Sequence, residues 1–303
     1  MFRFSTYVLF LLMVAGLSAC LDHRTPVVTP GSNTTRLRVK ALTLELPDNL
    51  AKVSSFRYDA QGRLGSILTY QTPDSTASEI EFSNYQYDGQ NRMTGLRREA
   101  VLFPRGSRPN AVERYSYAYD ASGRVISIDN NPGFTLGLGY NGTGQLAGAS
   151  RSFRTGGLSI SGSDSFTFTG NNLSGYQSGF TVTAMGGPPF SGGGSSNRYT
   201  HDDKINPFYG VLIIPAPAPD GFINLAFSPR VAVTYFGGTD NVLNLSQNNV
   251  LTETPLRTSA DLVTYQYQYN AANLPTVRVK RITSPAPNNS VRVEVLRFEY
   301  ESY

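Results

Sequence analysis

The chain has 303 residues, with 26 Lys and Arg against 22 Asp and Glu, two His and a single Cys. One Cys excludes an intramolecular disulfide and a Cys-rich zinc site, and two His are too few for a three-His zinc centre. The net charge of +4 is spread over a chain with only 16% charged residues, which argues against a nucleic-acid-binding surface. The 18 Tyr, 17 Phe and 29 Gly are typical of an all-β protein.

The amino terminus has the pattern of an export signal. Arg3 supplies a positive charge, and residues 7–17 form an apolar stretch that is too short to span a membrane. The following Leu17-Ser18-Ala19-Cys20 resembles the lipobox of bacterial lipoproteins. The resemblance implies that residues 1–19 are removed and that Cys20 is acylated, which anchors the chain to a membrane. The alternative is an ordinary secretory signal followed by a Cys.

The next segment is predicted to be a tether. Residues 25–35 are rich in Pro, Thr and Ser and have no apolar period, so we expect residues 20–38 to form an extended linker. A single folded domain is then predicted over residues 39–303. We expect a cell-envelope location, as an outer-membrane lipoprotein that faces the periplasm or the cell surface. Leu21 and Asp22, which follow Cys20, do not decide the leaflet.

A short pattern recurs six times in the predicted domain. It reads aromatic, any residue, aromatic, then Asp, Asn or Thr, and three positions later Gly or Asn, which tolerate a positive φ. Aromatic residues two positions apart lie on the same face of a strand, so each copy predicts a β-hairpin closed by a type I turn and a bulge. The copies span residues 56–64, 85–93, 117–125, 138–146, 166–173 and 267–274.

These copies resemble the YD repeats of Rhs-type and teneurin-type proteins. Residues 199–208, with residues 245–250, are similar to short YD-repeat lipoproteins of bacteroidete-type bacteria, a family that implies no assigned activity. The resemblance implies an all-β fold: an antiparallel hairpin meander, strongly twisted or curled, with little helix. Six hairpins are expected to be too few to close the hollow shell of the large toxins.

Two groups of repeat side chains have alternative interpretations. Tyr residues repeat at every second position in 115–119 and 265–269, and they form either the core or an exposed aromatic platform for sugars or peptides. Arg63, Arg92 and Arg124 occupy matching positions, and we expect them to lean on these rings or to pair with carboxylates. Binding of an anionic ligand is the alternative.

The pattern is interrupted between residues 186 and 220. The glycine-rich residues 186–196 predict a flexible loop, and residues 211–219 are an apolar run that ends in alternating prolines. A short helix or turn is expected at residues 204–209.

The best candidate site lies inside this interruption. It combines Tyr199, His201, Asp202, Asp203 and Asn206. If it binds a small ligand, a hard divalent cation such as calcium is the plausible one, although turns and caps are the alternative duty of these residues. No cofactor is expected.

The sequence therefore predicts a non-enzymatic, lipid-anchored envelope protein that acts as a binding or structural module. Its partner would be a polysaccharide, a peptide or another protein, and no nucleic acid is expected. One alternative is an envelope glycan hydrolase that uses carboxylates such as Asp202, Asp203 or Glu253. A scaffold reduced from a toxin shell is the other.

Overall fold

The computed structural model describes residues 31–32, 36–76, 80–101, 103–105, 111–130, 134–155, 157–184, 186–211, 242–257 and 260–303. Within them the protein is almost entirely β, and none of them belongs to a helix with the length and hydropathy of a membrane span. The strands are β1 (Gly31–Ser32), β2 (Leu37–Glu45), β3 (Ala51–Tyr58), β4 (Leu64–Thr72), β5 (Ile80–Tyr87), β6 (Met93–Val101), β7 (Ala111–Tyr119), β8 (Val125–Asn130), β9 (Phe134–Tyr140), β10 (Leu146–Thr155), β11 (Leu158–Thr169), β12 (Asn172–Ala184), β13 (Phe190–Ile205), β14 (Asn248–Pro255), β15 (Leu262–Tyr269), β16 (Pro275–Thr283) and β17 (Val291–Ser302). A 3₁₀ helix spans Leu243–Leu245.

Strands β2 to β17 form a closed antiparallel barrel of sixteen strands. Each strand pairs with the next along the chain, and β17 pairs with β2 from Leu296 opposite Leu44 to Ser302 opposite Leu37. The predicted antiparallel meander is therefore confirmed. The meander also closes on itself, which the repeats alone do not predict, because hairpin returns without a recognisable motif supply the remaining strands.

The repeated motif marks one end of the barrel, which we call the turn end. The six copies form the connections after β3, β5, β7, β9, β11 and β15, all at that end. Five of the copies close with a positive φ at the predicted position: Gly62, Asn91, Gly123, Gly144 and Asn273. In the fifth copy the positive φ falls at Gly170 instead, because β11 and β12 are joined there by only two residues.

Alternation along each strand separates an inner from an outer face. On β5, Glu81, Ser83 and Tyr85 are buried, whereas Phe82 and Asn84 between them are exposed. The inward apolar side chains of nearly all strands join one continuous core cluster. This core lies at the turn end, because the aromatic residues of the motif immediately precede the turns.

One expectation for the interruption is wrong. Residues 190–196, predicted as a flexible loop, belong to β13, where glycine and serine pair with β12 through backbone hydrogen bonds. At residues 204–209, where a short helix or a turn was expected, the structure has the end of β13 and a turn, since Asn206 and Pro207 terminate the strand. The predicted signal peptide, Cys20 and residues 212–220 lie outside the described residues.

Candidate functional site

The repeated Asp, Arg and Tyr form a contact between neighbouring hairpins. In the first copy, the Arg63 guanidinium donates to the Asp59 carboxylate at 2.7 Å and lies 4.4 Å from the ring centroid of Tyr87. The Tyr87 hydroxyl donates to the carbonyl oxygen of Leu64 at 2.7 Å. The motif therefore links each hairpin to the next one through one ion pair, one cation–π contact and one hydrogen bond.

The same contact recurs in the next two copies. Arg92 pairs with Asp88 and covers Tyr119 at 5.0 Å, and Arg124 pairs with Asp120 and covers Tyr140 at 4.8 Å. Hydrogen bonds from the backbone N–H groups of Arg92 and Arg124 hold the pKa values of Asp88 and Asp120 below their usual value. The three arginines thus lean on rings and pair with carboxylates, as expected, and this explains them without an anionic ligand.

The tyrosine stripes belong to the interior. Tyr115, Tyr117 and Tyr265 are buried in the core, with Tyr119 and Tyr267 packed against its edge. Burial raises the pKa of Tyr117 well above its ordinary value. The alternative of an exposed aromatic platform does not hold for these rings.

A plug closes the turn end where the motif is missing. It consists of residues 206–211 and 242–247, between β13 and β14, and we call it the plug. Phe208 packs against Phe56 of β3 at 6.1 Å between ring centroids, and Val211, Leu243 and Leu245 join the same core.

Asn206 holds the two parts of the plug together. Its Nδ2 donates to the carbonyl oxygens of Leu243 at 3.0 Å and Ser246 at 2.9 Å, and its Oδ1 accepts from the N–H of Phe208 at 3.0 Å. The side chain is buried, so these bonds satisfy its hydrogen-bonding capacity. The role of Asn206 is therefore to fasten the plug.

Two further candidates, Asp202 and His201, are half-buried; Asp202 joins β13 to β14 and β15, and His201 contacts the plug. The Asp202 carboxylate accepts the N–H groups of Lys204 at 2.9 Å and Asn249 at 3.1 Å and the hydroxyl of Tyr269. His201 Nε2 lies 3.0 Å from the Ser246 hydroxyl, and burial lowers the pKa of this histidine.

The remaining two candidates lie on opposite sides of the wall. Tyr199 is buried in the barrel core, whereas the Asp203 side chain is 84% exposed and pairs with Lys204. The five candidate residues are thus neighbours along β13 but do not converge on one point. Within the described part of the chain, no cluster of three or more His, Cys, Asp or Glu side chains could hold a metal ion.

A small cavity lies between the plug and strands β14 to β17. Its volume is about 20 Å³, enough for one water molecule, and its lining includes Asn206, Asn249, Tyr267 and Arg278. None of its lining residues is Asp or Glu. The cavity cannot supply the pair of carboxylates that glycan hydrolysis requires.

Charged side chains occupy the barrel interior beyond the tyrosine layer, and sequence reasoning missed them. Arg98, only 2% exposed, donates to Glu81 at 3.1 Å and to Glu113 at 3.0 Å, and Glu113 also accepts the hydroxyl of Tyr115. The alternation of side chains along a strand could have identified them, because residues two positions apart lie on the same face. Glu113 precedes Tyr115 by two positions, and Arg98 follows Leu96 by two.

A second buried ion pair joins β10, β11 and β12. Asp164 Oδ1 accepts from Arg151 at 2.9 Å and from the Tyr176 hydroxyl at 2.9 Å, whereas buried Oδ2 has no hydrogen-bond partner. Burial raises the pKa of Asp164 from 3.8 to about 6, against the opposing effect of Arg151. Gly162 leaves room for this arginine, because a Cβ there would lie 3.3 Å from the guanidinium.

The raised pKa of Asp164 predicts a pH-dependent stability. Between about pH 4 and pH 6 the folded protein keeps a proton on Asp164 that the unfolded chain has lost, so stability falls as the pH rises through this window. The contribution is up to about 3 kcal/mol. We expect Asp164→Asn to gain stability relative to the wild type between pH 4 and pH 7, measured by urea unfolding. Asp203→Asn is the control. A difference between variant and wild type that stays constant over this range would contradict the prediction.

The geometry defines the class of protein as a closed antiparallel β-barrel with one plugged end. No family model and no curated protein matches the chain. Among solved structures, a porin-like protein from Bacteroides uniformis is 11% identical with a TM-score of 0.41, over 87% of this chain and 98% of that one. A porin-like protein from Bacteroides vulgatus is 11% identical with a TM-score of 0.35 over the same shares. The Tc holotoxin pore of Photorhabdus luminescens is 14% identical with a TM-score of 0.28, over 80% of this chain and 13% of that one.

Proposed function

We propose that the chain is a lipid-anchored protein of the bacterial cell envelope, of YD-repeat type, that acts as a binding module. The position of the tether carries the proposal. Strand β2 begins at the turn end, where Leu37 pairs with Ser302 and Arg38 covers the ring of Tyr58 at 4.1 Å. A chain anchored at Cys20 therefore enters the barrel at its plugged end.

The length of the tether agrees with an anchor close to the barrel. Ten residues lie between Cys20 and Gly31, which pairs with Arg38 of β2, so this segment reaches at most about 40 Å when extended. The turn end then faces the membrane, and the opposite end, which we call the distal end, faces away from it. Among the described residues, the connections 46–50 and 284–290 lie at the distal end. These connections are the surface proposed to meet a polysaccharide, peptide or protein partner.

The outer face of the barrel supports anchoring by a lipid rather than insertion of the strands. A membrane-spanning barrel carries an apolar outward band about 25 Å tall. Here charged side chains face outward along the strands, as in the pair of Lys40 and Glu299, which are 58% and 60% exposed. Arg57 and Arg114 are exposed on β3 and β7.

A glycan hydrolase is the weaker proposal. Of the carboxylates considered for it, Asp202 is held by hydrogen bonds from β14 and β15, Asp203 points into solvent and Glu253 accepts the hydroxyl of buried Tyr265. Glu81 and Glu113 are close together, but the Arg98 guanidinium lies between them and neutralises both. A scaffold reduced from a toxin shell stays a further alternative.

Substitution of the acceptor cysteine tests the anchor. We expect Cys20→Ala to leave the protein unprocessed or soluble and to abolish incorporation of labelled palmitate, because no other residue can form the thioether. Ser18→Ala keeps a small residue before the cysteine and should leave anchoring unchanged. If the Cys20→Ala chain still fractionated with membranes and still incorporated palmitate, the proposal would be contradicted.

The partner is tested separately with the purified chain. Glycan arrays and pull-downs from envelope extracts should return a ligand whose binding survives Cys20→Ala, because the distal end does not include the anchor. No binding in either screen, together with a deletion that has no envelope phenotype, would count against a binding module.

A further inference from the structure

At the distal end, the first residues of β17 have a neighbouring strand on only one side. Strand β16 pairs with β17 from Thr283 opposite Val291 to Val277 opposite Arg297. Strand β2 pairs with β17 only from Leu296 onward. Residues 291–295 therefore form a free strand edge, since within the described ranges no strand pairs with their other side.

This edge has the features of a pairing surface. Its outward side chains are apolar, with Val291 48% and Val293 54% exposed, and Val295 lies beside Val279 of β16 on the same face. A strand edge exposes a row of backbone N–H and C=O groups that can pair with another strand. Valine occupies the outward face, and Arg292 and Glu294 lie on the inward face, where charges oppose pairing with a strand that does not match them.

The edge sequence is complementary to itself. Residues 291–295 read Val-Arg-Val-Glu-Val, so that an antiparallel pairing centred on Val293 places Arg292 opposite the partner subunit's Glu294. The same symmetry places Glu294 opposite the partner subunit's Arg292. Within one chain Arg292 Nε lies 3.2 Å from Glu294, and Lys280 Nζ lies 4.0 Å from it. The Arg292 and Glu294 side chains are 69% and 36% exposed, so they can exchange their mutual contact for one across an interface.

We infer that this edge pairs with the same edge of a second copy of the chain and forms a two-fold symmetric dimer. In a two-fold interface a surface meets itself, and opposite charges directly across two strands stabilise the pair. The two ion pairs between the copies replace the Arg292–Glu294 contact that each chain makes with itself. This self-complementarity favours a second copy over an unrelated peptide.

The dimer places the two barrels tip to tip. Because the paired strands run in opposite directions and the edge lies at the distal end, the two turn ends point away from each other. If the proposed lipid anchor is correct, on which this step rests, each copy carries its anchor at the outer end of the dimer. The pair then joins two facing membranes rather than two copies in one membrane.

Sedimentation velocity of the full chain in mild detergent tests the dimer. We expect the wild type to dimerise and Arg292→Glu to weaken dimerisation by about tenfold or more, because two like-charged contacts replace the two ion pairs. Arg57→Glu, an equal charge change on the outer face of β3, should leave dimerisation unchanged. A wild type that stays monomeric, or an Arg292→Glu variant that dimerises normally, would overturn the inference.

Cross-linking tests the register. Val293→Cys should form a disulfide-linked dimer on mild oxidation, since directly opposed residues have Cβ atoms about 5 Å apart. Ile126→Cys, 41% exposed on β8, is the control and should not cross-link. Equal cross-linking at both positions would refute this interface. So would a monomer that copurifies with a peptide bound to β17.

Vesicles separate the dimer from the anchor. Phospholipid vesicles that carry the full chain should aggregate with the wild type but not with Arg292→Glu. Cys20→Ala should still dimerise in detergent without aggregating vesicles. A wild-type dimer that leaves vesicles dispersed would refute the joining of membranes, whereas loss of the dimer itself would refute the edge pairing.

Discussion

Replacement of Arg98 by alanine is expected to lower the free energy of unfolding by about 3–5 kcal/mol. The guanidinium is 2% exposed and lies between the carboxylates of Glu81 and Glu113, at 3.1 and 3.0 Å. Its removal leaves two negative charges inside the barrel without their cation, and Glu81 itself is only 3% exposed. Equilibrium unfolding in urea measures the loss. Addition of Glu81→Gln to the Arg98→Ala variant should restore part of it, because one of the unpaired charges disappears.

The neighbouring residue supplies a matched control. Arg97 points outward on the same strand, is 39% exposed and pairs with Glu99 at 2.7 Å. An exposed ion pair contributes little to stability, so Arg97→Ala should change the free energy of unfolding only slightly. Equal losses for the two variants would show that Arg98 is not part of a buried network.

Asn206→Ala is expected to have the second large effect, a loss of about 3 kcal/mol in the free energy of unfolding. The substitution removes the two side-chain hydrogen bonds from Asn206 to the second half of the plug and the one to the N–H of Phe208. The buried carbonyl oxygen of Ser246 then loses its bond to the Asn206 amide. Hydrogen exchange should accelerate at the backbone amides of residues 208–211 and 245–247, while amides of β5 and β6 should keep their protection.

Asp203→Ala provides the contrast, because this exposed neighbour contacts only Lys204 among the groups described here. It should change neither stability nor exchange in the plug. If Asn206→Ala also left both unchanged, the plug would be held by its apolar contacts and by its other hydrogen bonds, such as the one from the N–H of Gly210 to the carbonyl oxygen of Asn244. A structural role for Asn206 would then be contradicted.

The turn end could be predicted from the sequence because its signals are local. A positive φ at Gly62 or Asn91 and the turn-forming carboxylates of Asp59 and Asp88 all act within five residues. That Arg63 would stack on an aromatic ring could also be predicted, since rings recur two positions apart on each strand. Only the identity of its partner, Tyr87 of the next hairpin, needed the strand order.

Closure and the plug depend on contacts that are distant in the sequence. Asn206 bonds to Leu243 and Ser246 across about 40 residues, and β2 meets β17 more than 250 residues away. No local pattern encodes either contact. The same reason explains why Asp202 and His201 looked like a site: their partners, Asn249, Tyr269 and Ser246, all lie on later elements.

The prediction of a flexible loop in the glycine-rich part of β13 was wrong for a different reason. Composition predicts a loop when glycine and serine cluster, yet Gly193 and Gly194 pair with Phe180 and Gly179 of β12. A strand that lies between two others is held by backbone hydrogen bonds on both sides. Long neighbouring strands can therefore keep a segment of low β propensity in the sheet.

Closure of the barrel is the central claim, and a cross-link between the first and last barrel strands tests it most directly. Thr43 and Arg297 lie opposite each other on β2 and β17. In a Cys20→Ala background, Thr43→Cys with Arg297→Cys should form an intramolecular disulfide on mild oxidation, detected by peptide mass spectrometry. Thr43→Cys with Ile126→Cys is the control and should stay reduced. An open, curled meander keeps β2 and β17 apart, so failure of the first pair to cross-link in the folded protein would contradict the closed barrel.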